Sequence, residues 1–238
     1  MIVYPAIDII DSKCVRLTQG DYKKMKIYKQ NPVAVAKEFE DANLEYLHLV
    51  DLDGAKKGTV INWKVIESIQ EKTSLLVDFG GGVKTEEEVL RLLDLGVYQI
   101  NIGSLAVTSP EVFAGWIKKF GAENFILSAD VTDELIQFHG WTKQSSISLF
   151  DLVSKLEAEG LRFLCCTDIK RDGMLAGPNF GLYRKLKTRF PNLKIIASGG
   201  IQSIEDLKEL NYLKIHGAIV GKAIYENKIK LSELRNLD

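Results

Sequence analysis

The chain repeats itself, and no other feature constrains its fold as tightly. The stretch DFGGGVKTEEEVLRLLDLGVYQINIGSLAV is echoed by ASGGIQSIEDLKELNYLKIHGAIVGKAIY. Gly81-Gly82 recurs as Gly199-Gly200 and Gly103-Ser104 as Gly221-Lys222, each 118 positions on, so the two glycine sites are equally spaced in both halves. Upstream, the Asp51-Leu52-Asp53-Gly54 segment resembles Asp168-Ile169-Lys170-Arg171-Asp172-Gly173 at an offset of 117. Asp8 corresponds to Asp130 at an offset of 122. Internal repetition at a fixed period means equivalent structural units packed on one another. Here the unit is half the chain.

Each half alternates short apolar runs with amphipathic stretches. Strands are expected at 2–8, 46–51, 75–80, 98–103, 125–130, 162–168, 194–199 and 217–221. They are rich in Val, Ile and Leu and mostly uncharged before their last residue, the pattern of strands covered on both faces. Helix patterns fall between them, for example at 33–42, 85–96 and 203–211. Thr85 with Glu88 reads as a capping box, and Gly96 as a helix stop. Eight such alternations give either an open doubly wound sheet or a closed barrel. Only the barrel has a two-fold symmetry for the repeat to satisfy. The expected fold is therefore an α/β structure, a (β/α)₈ barrel of the TIM type made of two half-barrels, with residues 1–238 as one domain.

Composition narrows the partners. The 31 basic and 32 acidic residues nearly cancel, which argues against nucleic acid. An anionic ligand must then be held by local groups. The opening MIVYPAID has no basic region and its apolar run is broken by Asp8, so it does not read as a signal peptide. No apolar run approaches the ~20 residues a membrane span needs. Cys14, Cys165 and Cys166 lack metal-ligand spacing, and adjacent strand residues point to opposite faces, so reduced thiols in the cytoplasm are expected. A monomer without cofactor or metal is the expected form.

Active sites of such barrels lie at the C-terminal ends of the strands. Asp8, Asp51, Asp78, Asp130 and Asp168 fall at or near such ends. Asp51 and Asp78 are expected only to cap the following helices. Asp8 and Asp130 differ because they are repeat-equivalent and each precedes a long polar stretch, 9–31 and 131–145, expected to form loops that cover the mouth. Gly-Gly at a strand end exposes backbone N–H groups to an anion, and a following helix start adds its dipole. One phosphate site is expected at Gly199, Gly200, Gly221 and Lys222 with Gly177, and a second at Gly81, Gly82, Gly103 and Ser104. A side chain added at Gly82 or Gly200 is expected to crowd such a pocket. Two anion sites with two carboxylates between them suit acid–base chemistry on the middle of a bisphosphate ligand.

The segments PAIDIIDSKCVRLTQGDY (5–22), HLVDLDGAKKG (48–58), DFGGGVKT (78–85), TDIKRDGMLAGPN (167–179) and ASGGIQS (197–203) resemble the phosphoribosylformimino-aminoimidazole carboxamide ribotide isomerases of histidine biosynthesis. The resemblance implies an Amadori rearrangement of an aminoaldose to an aminoketose, with Asp8 as general base and Asp130 as general acid. It further implies that Thr167 supports the reacting centre and that the tryptophan of Gly140-Trp141 stacks on the substrate. This chain has Lys84 where the family usually has arginine, which keeps the charge but loses the bidentate fork. Asp172 stands as a second candidate acid.

Three rivals compete with this reading. The sibling cyclase of the same pathway would normally open with a segment like PCLDVKDG and depends on a glutaminase partner. An isomerase that also accepts phosphoribosylanthranilate would use identical chemistry. A silent phosphosugar-binding barrel would not need both Asp8 and Asp130. Among the histidines, His48 is either a mouth-lining or a packed residue, His139 an exposed loop residue, and His216 a surface residue.

Overall fold

A computed structural model describes residues 1–18, 21–138, 141 and 143–235. The first half holds β1 (Ile2–Ile10), β2 (Lys13–Thr18), β3 (Asp21–Lys29), β4 (Tyr46–Asp51), β5 (Leu76–Gly80) and β6 (Gln99–Ile102). The second holds β7 (Phe125–Thr132), β8 (Leu135–Phe138), β9 (Lys143–Ser148), β10 (Phe163–Asp168), β11 (Lys194–Ser198) and β12 (Gly217–Val220). Eight of these run parallel in the order β1-β4-β5-β6-β7-β10-β11-β12, and β12 pairs with β1 to close a barrel. The (β/α)₈ expectation is met, and the eight expected strands lie within two residues of those observed.

Alternation along each strand sorts side chains into two cores. Outward residues such as Leu47, Leu49, Val77, Phe79 and Ile100 pack against the surrounding helices. Inward residues Tyr4, Ala6, Ile126, Phe163, Cys165, Ile196 and Ile219 fill the barrel. Cys165 belongs to the inner cluster and Cys166 to the outer one, as their adjacency in a strand requires. All three cysteines are free and buried. No helix among the described residues is long and apolar enough to cross a membrane.

The repeat is visible in hydrogen bonds as well as in topology. Asn62 Nδ2 donates to Asp51 over 2.7 Å, and Asn179 Nδ2 donates to Asp168 over 2.7 Å, again 117 positions apart. Thr85 with Glu88 forms a capping box on the helix Glu86–Asp94, and Ser203 with Asp206 does so on Ile204–Tyr212.

Two expectations need correction. The polar stretches after Asp8 and Asp130 are not irregular loops. Strand β1 runs on to Ile10 and β7 to Thr132, and each turns into antiparallel partners, β2–β3 and β8–β9. The first hairpin reads as loop because much of it faces water, Lys24, Met25, Lys26 and Ile27 all being exposed, and the second because most of its described residues are only half-buried. Asp51 does cap the helix Leu52–Lys57, donated to by Gly54 N, but Asp78 caps nothing. It sits within β5, points into the barrel, and leaves the cap of the next helix to Thr85.

Candidate active site

A cavity opens at the C-terminal ends of the strands, lined among others by Asp8, Arg16, His48, Asp130, Trp141 and Thr167. Gly81, Gly82, Gly103 and Ser104 line one side of it. A smaller recess beside it is lined by Gly199, Gly200, Gly221 and Lys222. The two hollows share Arg16, Asp172, Ser198 and Ile219 as a common wall. Both glycine sites thus flank the paired aspartates. Gly177 lines neither hollow: its N–H donates to the Gly200 carbonyl over 2.9 Å, so it braces the Gly200 turn instead of facing a ligand.

The glycine turns require their glycines. Gly81, Gly82, Gly199 and Gly200 have φ of 113°, 89°, 90° and 88°, where a side chain is strained. A Cβ at Gly82 would lie 2.6 Å from the Thr59 carbonyl oxygen and one at Gly200 2.4 Å from that of Gly177. A side chain at either position therefore strikes the supporting backbone, not the anion pocket, contrary to the sequence expectation. The helices after Gly103 and Gly221 span only five and four residues, Ser104–Thr108 and Lys222–Tyr225. Backbone N–H groups, more than any sizeable macrodipole, make these ends attractive to anions.

Arg16 is a candidate site residue that sequence reasoning missed. It lies on β2, and its Nη1 donates to Asp8 Oδ2 over 2.9 Å with both side chains largely buried. Burial disfavours the guanidinium charge, but Asp8 and Asp172 more than offset this and hold its proton more tightly than usual. Its guanidinium also lies over Gly221, where a Cβ would come within 1.9 Å of Nη2. One arginine thus touches a candidate base and overhangs a candidate phosphate site. Lys222 Nζ donates to the Gly173 carbonyl over 2.7 Å, anchoring the loop that carries Asp172. Lys84 places its ammonium over Gly58, at the rim of the first-half site.

The carboxylates have different surroundings. Asp8 is ion-paired. Asp130 accepts a 2.7 Å hydrogen bond from Trp141 Nε1. Burial pushes its carboxyl upward against the opposing hydrogen bonds from Trp141 and Thr167 and the nearby charge of His48. Asp172 is pushed up to about 6, first by burial and then by Asp8 and Asp130, against the pull of Arg16. Trp141, expected to stack on a ligand, lines the cavity and here tethers Asp130. His139 and Gly140 lie outside the described residues. His48 lines the cavity with Nδ1 2.5 Å from Asp78 Oδ1. His216 is half-buried at the opposite end of the barrel, edge-on to Phe163 at 5.8 Å.

Fold and site together define a class: a half-barrel-repeat (β/α)₈ protein with two glycine-lined recesses on either side of a carboxylate cluster. Residues 2–230 match the family described as "Histidine biosynthesis protein". The chain is 48% identical over 236 residues to a protein of Flavobacterium psychrophilum, covering 99% of this chain and 98% of the relative. It is 49% identical over 232 residues to one of Cytophaga hutchinsonii, covering 98% and 97%. A relative from Bacteroides thetaiotaomicron is 47% identical over 233 residues, 98% of both chains. All three carry the name 1-(5-phosphoribosyl)-5-((5-phosphoribosylamino)methylideneamino)imidazole-4-carboxamide isomerase. The chain belongs to this histidine biosynthesis family.

Proposed function

We propose that the protein is the isomerase its relatives are named for, converting that bis-phosphoribosyl aminoaldose to the corresponding aminoketose. The observation that carries this reading is the pair of glycine sites flanking Asp8 and Asp130, one in each half of the barrel. A substrate with a phosphoribosyl group at each end is held by both, which places its reacting sugar over the aspartates. Gly81, Gly82, Gly103 and Ser104 take one phosphate, and Gly199, Gly200, Gly221 and Lys222 the other, with Arg16 alongside.

The rearrangement needs a proton donor and a base. A donor carboxyl protonates the ring oxygen as the C1–O bond breaks, leaving a protonated imine between C1 and nitrogen. Asp8, whose pairing with Arg16 requires the carboxylate, takes the proton from C2 to give the enaminol. Returning that proton to C1 while the C2 hydroxyl gives its own back to the donor completes the ketone. No atom or electron is gained or lost. Asp130 is the donor in this reading, with Thr167 and Trp141 orienting it. The reaction is assigned to the cytoplasm, where three buried thiols remain reduced.

A second assignment of the donor rests on Asp172, whose carboxyl is pushed up to about 6. The test is steady-state isomerisation of the bis-phosphoribosyl substrate by chelator-treated protein with no partner added. Asp8→Asn and Asp130→Asn should each lower kcat by ~10²–10⁴-fold, with folding intact by circular dichroism. A smaller loss in Asp130→Asn than in Asp172→Asn transfers the donor role to Asp172. An untreated enzyme that turns over only with a glutaminase or an added divalent ion overturns the reading altogether.

A further inference from the structure

The halves of the barrel match in topology but not in what lines its interior. Beneath the mouth, a chain of polar side chains crosses four adjacent strands, β4 to β7. His48 Nδ1 donates to Asp78 Oδ1 over 2.5 Å, Asn101 Nδ2 donates to the same oxygen, and Ser128 Oγ donates to Asn101 Oδ1 over 2.9 Å. The repeat places Cys165, Ile196 and Ile219 at the positions equivalent to His48, Asp78 and Asn101, and Ala6 opposite Ser128. All four counterparts are apolar members of the inner core. The second half-barrel folds on apolar residues where the first keeps a carboxylate, an imidazole, an amide and a hydroxyl. Side-chain exposure of Asp78 is only 2%, and a buried ion pair is often no more stabilising than apolar residues of similar volume. The fold does not demand this network.

The network has a direction. Asp78 does not line the cavity, whereas His48 does. A carboxylate accepting at Nδ1 fixes that nitrogen as N–H and leaves Nε2 as the edge free to meet a ligand. His48 stands near both working carboxylates: Asp8 favours its charged form, and its charge in turn favours ionised Asp130.

We propose that Asp78 is a positioning residue that, with Asn101 and Ser128, holds His48 so that its Nε2–H donates to an oxygen of the bound sugar between Asp8 and Asp130. The inference rests on the isomerase reading. Negative charge develops on the oxygen attached to C2 as the enaminol hydroxyl gives up its proton while C1 is protonated, and a fixed donor acts most strongly on charge that appears during the reaction. His48 keeps its proton throughout; the interaction is a hydrogen bond and no bond to His48 forms. Burial works against the imidazolium, yet the charge and hydrogen bond of Asp78 outweigh it and raise its affinity for the proton. The charged groups around His48 are Asp8 on β1, Arg16 on β2, Asp78 on β5 and Asp130 on β7. Tyr4 and Cys165, which face Asp78, are pushed up by burial and stay neutral.

The chain has 3 histidines, so ¹⁵N resonances of the imidazoles are assignable with one His48→Gln variant. In the parent, His48 should titrate above the ordinary histidine range. Asp78→Asn should lower that midpoint by ~1–3 pH units. It should also reduce kcat by ~10–100-fold with little change in KM, the mark of a misplaced group acting after binding. The alkaline limb of kcat should move to lower pH in step with the NMR midpoint. In a His48→Gln background, Asp78→Asn should add little, because the residue acts through His48. Ser128→Ala gives a milder form of the same shift if Asp78→Asn folds poorly. An ordinary or lowered His48 midpoint in the parent overturns the proposal. So does an Asp78→Asn loss that adds in full to that of His48→Gln. A parent that shows the raised midpoint but no isomerisation would instead sink the functional reading.

Discussion

Asp172 shows what a buried carboxyl at the cavity costs the fold. Its carboxyl is pushed up to about 6 in the folded chain, against ~3.9 when unfolded. The folded state therefore holds this proton more tightly, and stability falls as pH rises from ~4 through about 6. Asp172→Asn removes that penalty. It should leave the protein more stable than the parent by about 3 kcal/mol above pH 6, with the gap closing as pH falls toward 4. Urea denaturation of both proteins across that range checks it, and a gap independent of pH would contradict the assignment. At this scale the sequence was partly legible. Asp8, Asp130, Thr167 and Trp141 were found through the repeat and the motifs, and the structure gathers them in one cavity. Arg16 was missed because it sits in a polar stretch that read as loop, with no repeat partner to mark it. Asp78 was misread as a cap, although strand parity held the clue: Val77 and Phe79 on either side of it face the outer core. Its neighbour across the sheet, His48, shares its inward register.

At the scale of elements, a glycine can serve the turn or the ligand, and the two roles give different variants. A Cβ at Gly103 would meet nothing nearer than the Ser128 carbonyl oxygen at 3.5 Å, and its φ of −104° lies outside the left-handed region. Gly103→Ala should fold normally and place its methyl on the cavity wall, raising KM for the bis-phosphoribosyl substrate. Gly82→Ala meets the Thr59 and Gly54 carbonyl oxygens at 2.6 and 2.7 Å with φ at 89°. It should lose on the order of 2–3 kcal/mol of stability by itself. Thermal melts paired with kinetics separate the two, and a Gly103→Ala enzyme with unaltered KM would remove Gly103 from the site. Strands and caps were legible because periodicity and the Thr85–Glu88 and Ser203–Asp206 boxes are local signals. The hairpins β2–β3 and β8–β9 were not, because partly solvated strands carry too little apolar pattern to distinguish them from loop. The direction in which a Gly82 side chain would point was equally hidden, since it depends on where the Thr59 loop packs.

Across the whole molecule, the two halves set the same glycine pairs beside the mouth with different charges around them. The first-half site has Lys84 at its rim, while the second has Lys222 and the overhanging Arg16 guanidinium. Lys222 also ties down the Asp172 loop through the Gly173 carbonyl, so its charge and its anchoring are coupled. Inorganic phosphate, too small to bridge the barrel mouth, should therefore bind at two separate sites of unequal salt sensitivity. The site with two cations should weaken more as salt rises from 0.05 to 0.3 M, because screening acts on the larger charge term, with a Debye length of ~10 Å at 0.1 M. Lys222→Met should weaken that site alone and leave the Gly81-Gly82 site near its parent affinity. Joining two phosphates in one ligand turns the second contact into an intramolecular event, so a bisphosphate of matching span should bind ~10²–10⁴-fold more tightly than phosphate itself. Phosphorus NMR or calorimetric titration of parent and variant at two salt concentrations measures all of this. A single phosphate per barrel, or a bisphosphate that binds no better than phosphate, would mean that the repeated glycine pairs are turns of the fold and not two ends of one binding site.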